Sequence, residues 1–317
     1  GCALAGQMET LLGARMVQAA GGAAIAVTVP ALVRDLFERD HYARVIGLVM
    51  MIMSLAPLLA PSIGGVIVAH ASWHWVFIAL LGIALVASGL FLWLIPETLP
   101  PERRHPPDLG RVLGNYYGLL RHRLGMGFLL TGAFSFGGMM TFIVGSPYVY
   151  MVLYQVPTAW FGVLFGANVA VAMLATLINT RLVMRLGAER LLRLGLRVQV
   201  VAALVLLVLA ILDSPPLWAI VLGVLLYLGM AGVVLGNAMA SYMVYFVRLA
   251  GTASAFSGAA RFGFGAAVGT LVSLAHDGTP RPLLLGMALS GLMAGVSYWL
   301  LCREGREKEN VYEQRTI

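Results

Sequence analysis

The chain has 317 residues, 60% of them hydrophobic and only 11% charged, against about a quarter charged in an ordinary soluble domain, which excludes a soluble fold. Its formal net charge of +7 does not mark a nucleic-acid binder, because the arginines fall between apolar runs and form no basic groove with interleaved aromatics. Cys2 and Cys302 stand at opposite ends, so neither a disulfide framework nor a metal site follows from them.

The opening GCALAG reads as the last turns of an earlier helix. It has no initiator Met, basic n-region or cleavage site of a signal peptide, and the expectation is that the true N-terminus lies upstream. A bilayer-crossing helix needs about 20 mostly apolar residues. Such runs are predicted at roughly 11–32, 44–69, 75–95, 125–146, 160–180, 192–212, 217–240, 251–275 and 282–302. The predicted fold class is therefore an all-α polytopic membrane protein, its many glycines and alanines suited to close helix contact in lipid.

In chain order, the first span holds Arg15 and Gln18 one turn apart. An arginine stays protonated, so in a low-dielectric cavity it lowers the pKa of a nearby carboxyl group and can serve as its switchable partner. From position alone, Arg15 could instead snorkel to the outer surface. The second span contains Ala56-x-x-x-Ala60-Pro61-x-x-Gly64-Gly65. There Pro57 and Pro61 each remove a backbone donor and kink the helix, while the small residues allow tight packing, as a hinge or seal or as ordinary helix contact. His70 and His74 flank a turn at the membrane surface and read as interfacial rather than as metal ligands.

The connection 96–124 ends in LGRVLGNYYGLLRHR, which reads as an amphipathic helix on the inner surface. Polar and aromatic residues in apolar helices avoid lipid and face the bundle interior. Phe134, Phe142, Tyr148, Asn168, Tyr227 and Asn237 are therefore candidates for lining a substrate cavity. For any one of them, core packing or helix–helix hydrogen bonding is an equal account. RLVMRLGAER, 181–190, reads as a basic loop. Arg261, inside AFSGAARFGFGAA, is the second charge at depth, able to attract anionic groups, pair with carbonyls or snorkel inward. It is counted with the cavity candidates.

Apart from Arg15, Arg261 and Arg281, every Arg and Lys falls in a connection or tail on one side of the membrane. The positive-inside rule makes that side cytoplasmic, so the chain is expected to start outside and end inside. The long connection divides the spans into three and six. That is the plan of a transporter with two six-helix halves, less three helices at the front.

The order ARMVQAAGG…VRDLF, APLLAPSIGG, PETLP and GSPYVYMVLYQVPTAWFGVLF resembles the Bcr/CflA (bicyclomycin-resistance) branch of the major facilitator superfamily, over nearly the whole chain. The resemblance implies a major-facilitator helical bundle with nine of an expected twelve spans. Residues 1–95 would be the remnant of the N-terminal half, 96–124 a cytoplasmic linker, 125–302 the six-helix C-terminal half and 303–317 a cytoplasmic tail. It implies that Arg15 and Gln18 are the proton-coupling element of family helix 4, and that Ala56, Pro57, Ala60, Pro61, Gly64 and Gly65 are the helix 5 antiporter motif, with alanines in place of two glycines. RLVMRLGAER is similar to the superfamily's cytoplasmic loop motif.

All fourteen carboxylates map to loops, helix ends or the tail, although proton coupling usually uses a titrating group within the membrane. The resemblance places that group in helix 1, upstream of this chain. The expected activity is export of drugs or other small amphipathic compounds by proton antiport, from a monomer in a bacterial inner membrane. Its partners would be a small-molecule substrate, protons and the bilayer, with no nucleic acid. Export of a natural metabolite, such as a sugar, nucleoside or amino-acid derivative, and a non-transporting degenerate protein are the alternatives. No nucleophile–base pair, Gly-rich phosphate loop or metal cluster occurs, so no enzyme, cofactor or metal is expected.

Overall fold

In a computed structural model the chain is described over residues 1–36, 70–95 and 109–303, with 45, 49, 52, 60 and 63–68 between them. It forms two compact units, Gly1–Pro107 and Asp108–Ile317.

In the first unit a short 3-10 turn, Cys2–Leu4, precedes helix α1, Met8–Leu36. Glu9 sits in its first turn, where a negative charge complements the unpaired N–H groups of the helix start. The first predicted span lies within this helix. The second falls mostly outside the described residues, of which 63–68 are helical. Helix α2, His74–Leu94, follows the turn at Trp73 and coincides with the third predicted span. At 21 residues it is about 31 Å long, the thickness of a hydrocarbon core.

The second unit opens with α3, Leu109–Arg121, the predicted amphipathic helix. His122 then caps α4, Arg123–Pro147, its Nδ1 accepting from the Gly125 N–H at 3.0 Å. The remaining helices are α5 (Thr158–Leu186), α6 (Ala188–Ile211), α7 (Leu217–Met243), α8 (Ala250–Leu274) and α9 (Arg281–Ser297). Among the described residues seven helices are long and apolar enough to cross a membrane, and they match seven of the predicted spans.

Two predicted boundaries need correction. The fourth span does not end near 146. Pro147, at φ −60° and ψ −43°, fits a helix, and the chain continues as a π-helical turn, Tyr148–Leu153. Val149 and Tyr150 of that turn are buried in the core, and their packing extends the helix. RLVMRLGAER is likewise not an open loop. Arg181 and Arg185 ride on the end of α5, Gly187 alone makes the corner, and α6 begins at Ala188. Gly187 has φ +77°, a left-handed conformation that favours a residue without Cβ.

α4 is the hub of this unit, packing against α7, α8 and α9, while α6 lies against α7 and α9, and α5 against α7. Glycines let the backbones close up. A Cβ on Gly138 would lie 2.1 Å from the Tyr227 hydroxyl, and one on Gly291 would lie 2.7 Å from the same ring. The core has two ends, one built on Phe142, Tyr150, Leu206 and Met287, the other on Phe128, Leu192, Tyr242 and Phe246.

Candidate functional site

In the first unit the i, i+3 spacing on α1 puts Arg15 and Gln18 on one face. Arg15 Nη1 donates to Gln18 Oε1 at 2.7 Å, and the guanidinium lies 5.6 Å from the centroid of the Phe77 ring on α2. Cys2 Sγ approaches the same Gln18 oxygen at 3.9 Å. One amide oxygen thus fixes the arginine, and an aromatic face supplies a cation–π contact worth about 0.5–1 kcal/mol at an exposed site. Of the proline-and-glycine motif, Ala56, Pro57 and Pro61 lie outside the described residues. Ala60, Gly64 and Gly65 are helical, and a Cβ on either glycine meets nothing within 4 Å among the described residues.

The cavity candidates of the second unit are not brought together in one place. Phe142 is buried in the core, stacked on Phe165 at 5.8 Å and edge-on to Tyr150 at 6.2 Å. Tyr227 is fully buried, its hydroxyl reaching the Ser135 carbonyl at 3.5 Å, and Gln199 Nε2 donates to the Tyr227 carbonyl at 3.4 Å. Phe134 meets Phe264 at 4.7 Å, and Tyr148 is edge-on to His276 at 4.1 Å near a helix end. Asn168 Nδ2 donates to the Leu164 carbonyl of its own helix. Asn237 Nδ2 donates to Asn179 Oδ1 at 2.7 Å and to the Val233 carbonyl at 2.8 Å, clamping α7 to α5.

A hollow of about 560 Å³ opens at the Gly187 corner, lined by Glu189, Arg190, Arg193, Ser241 and Tyr245 among others. None of the predicted site residues reaches it, and its basic rim matches the positive-inside pattern. Arg261 instead borders a cavity of about 10 Å³ enclosed by α4, α7 and α8, with Phe128, Leu129, Gly132, Tyr242 and Ser257. Its Nε has no hydrogen-bond partner among the described residues, and neither has the buried Tyr242 hydroxyl. Ser257 Oγ donates to the Met239 thioether at 3.4 Å, a weak acceptor. Sequence reading does not single out Tyr242 and Ser257, which border the same cavity. Their one signal is a hydroxyl within an otherwise apolar run.

Residues 1–270 match the Major Facilitator Superfamily. The chain is 35% identical over 287 residues to the Bicyclomycin resistance protein homolog of Haemophilus influenzae, covering 90% of this chain and 72% of that protein. It is 30% identical over 305 residues to the Uncharacterized MFS-type transporter YdgK of Bacillus subtilis, covering 96% and 75%. A stretch of 103 residues is 33% identical to the Putative multidrug resistance protein MdtD of Cronobacter sakazakii, covering 32% of this chain and 22% of that protein.

Proposed function

The chain belongs to the Major Facilitator Superfamily, transporters rather than enzymes, and we propose that this integral membrane protein exports drugs or other small amphipathic compounds in exchange for protons. What supports the reading is the likeness, along most of the chain, to a protein named for bicyclomycin resistance. Bicyclomycin is accordingly the first substrate to try.

In the proposed cycle the protein is a monomer of the bacterial inner membrane with its C-terminus in the cytoplasm, and access to a site at membrane depth alternates between the two sides. In this reading the two units are the two helical halves, and the boundary after Pro107, inside the connection 96–124, supports it. Arg15 is the coupling cation and Gln18 the group that holds it. A guanidinium that cannot deprotonate acts by favouring the ionised form of a neighbouring carboxyl group. The stretch from Ala56 to Gly65 is the packing element that lets a helix bend.

Expression in a bacterial strain stripped of its own exporters tests this. The inhibitory concentration of bicyclomycin should rise several-fold with the wild-type chain and stay at the vector level with Arg15→Ala. An unchanged inhibitory concentration, with a metabolite such as a nucleoside exported instead, would replace drug efflux with metabolite export.

A further inference from the structure

Between Arg181 and Arg197 five arginines stand with one carboxylate, Glu189. Arg190, Arg193 and Arg197 recur at i, i+3 and i+7 along α6, which puts them on one stripe of that helix. Arg190 and Arg193 both line the hollow of about 560 Å³ at the Gly187 corner, with Ser241 and Tyr245. That volume lies within the ~300–1,000 Å³ of small-molecule sites. Glu189 lines the hollow too and offsets one of the two charges, so its rim stays net positive.

A second cavity, about 220 Å³, lies deeper between α5, α6 and α7. Its lining is apolar, Ile178, Leu182, Leu194 and Val198 among others, and Asn179 is its one polar side chain. The two spaces follow each other along the same helix faces. On α5, Leu182 lines the deeper one and Leu186 the hollow, one turn apart; on α7, Val233 and Ala240 do the same two turns apart. Although a single glycine joins α5 to α6, the two helices barely pack on each other, which leaves the crevice between them. Ile178, Leu194 and Val198 are 40–51% exposed, so the deeper cavity is open at the side of the bundle. A cationic hollow at the helix ends thus stands over an apolar slot at membrane depth. Guanidinium groups match phosphate oxygens in geometry as well as charge, and basic pockets between helices on the cytoplasmic side suit anionic headgroups. A water-soluble anion has no use for the slot, and a neutral apolar molecule has none for the arginines.

We infer that the crevice between α5, α6 and α7 holds one anionic phospholipid of the cytoplasmic leaflet, its phosphate on Arg190 and Arg193 and an acyl chain in the slot over Leu182, Leu194 and Val198. The lipid fills the gap between α5 and α6 and so braces the helices where the protein packs least. The inference concerns a resident lipid, not the exported compound. It rests on the proposed orientation, with the Gly187 corner in the cytoplasm, and does not depend on drug efflux.

Native mass spectrometry of the full chain in detergent, titrated with dioleoyl lipids, tests this. One copy of phosphatidylglycerol should bind at least about tenfold more tightly than phosphatidylcholine, since each arginine near the membrane surface contributes about fivefold. Arg190→Gln combined with Arg193→Gln should bring phosphatidylglycerol down to the phosphatidylcholine level. Phosphatidylcholine binding and the Tm in lipid-free detergent should stay unchanged, which reports that the variant is folded. Either substitution alone, milder to the fold, should remove about fivefold of the preference. Leu194→Trp, at an exposed position of the slot, should fill it and weaken both lipids alike. Equal binding of the two lipids by the wild type, a preference that survives the double substitution, or unchanged binding by Leu194→Trp would overturn the inference. Displacement of phosphatidylglycerol by glycerol 3-phosphate at equal concentration would make this a free-phosphate site. Tight binding only after removal of residues 304–317, which carry Glu304, Glu307, Glu309 and Glu313, would give the hollow to the chain's own tail. Either result would overturn the lipid assignment. Tight phosphatidylglycerol binding in a chain that confers no bicyclomycin resistance would uphold the lipid site and remove the drug-efflux reading alone.

Discussion

Tyr227 shows how little freedom single residues have in this bundle. It is a tyrosine in an apolar run, and its surroundings are two glycines, Gly138 and Gly291, whose missing Cβ atoms make room for its ring. Gly138→Ala would force the ring or α4 to shift, and overpacking of this kind typically costs about 1–3 kcal/mol. Thermal unfolding in detergent should show a lower Tm for Gly138→Ala, with part of the loss recovered on adding Tyr227→Phe. A Tm equal to wild type would mean that the contact is slack. Arg15 is the opposite case, a residue whose packing is light and whose proposed role is electrostatic. Arg15→Gln keeps a hydrogen-bonding side chain but loses the charge, and should lower proton-driven export at least about tenfold, equivalent to about 1.4 kcal/mol of barrier. Arg261 was legible because a charge in an apolar helix stands out in any sequence. Tyr242 was not, because a buried hydroxyl with a partner and one without are the same letter.

Among the helices, length and apolarity made the spans legible, since roughly 20 apolar residues must cross the bilayer whatever they pack against. Their ends were less so. Pro147 reads as a terminator, yet its fixed φ suits a helix, and the burial of Tyr150 in the core carries the turn on to Leu153. Contacts between helices are set by pairs far apart in sequence, such as Asn179 and Asn237 across α5 and α7. A double-mutant cycle with alanine at both positions should give a coupling of about 0.6 kcal/mol, and at most about 1.7. Additive effects would show that the amides exchange partners freely. In the turn before α9, Thr279 donates to Asp277 Oδ1 from its backbone N–H at 2.9 Å and from its hydroxyl at 2.6 Å. The hydroxyl bond leads in holding the Asp277 carboxyl below its ordinary value of 3.8. A depressed folded value means that the contribution is present above the unfolded value and lost as pH falls through the folded one. The Tm difference between wild type and Asp277→Ala should therefore be steady near neutral pH, begin to shrink below about pH 4 and vanish only in stronger acid. A difference that grew in acid would reverse the sign and exclude this origin.

At the scale of the whole molecule, the expectation of a major-facilitator bundle agrees with the chain's membership of that superfamily. Proton coupling is the step that remains a proposal, and it is also what sets an antiporter apart from a passive path. In the proposed cycle Arg15 is the residue on which it turns, because a guanidinium that stays protonated favours the ionised form of a neighbouring carboxyl group. The most direct test uses inverted membrane vesicles containing the full chain, acid inside, with a fluorescent dye reporting luminal pH. Bicyclomycin added to the exposed cytoplasmic face should enter as protons leave, so luminal pH should rise with the wild type and stay constant with Arg15→Gln. No rise in luminal pH with the wild type, or the same rise in both, would contradict proton antiport through Arg15.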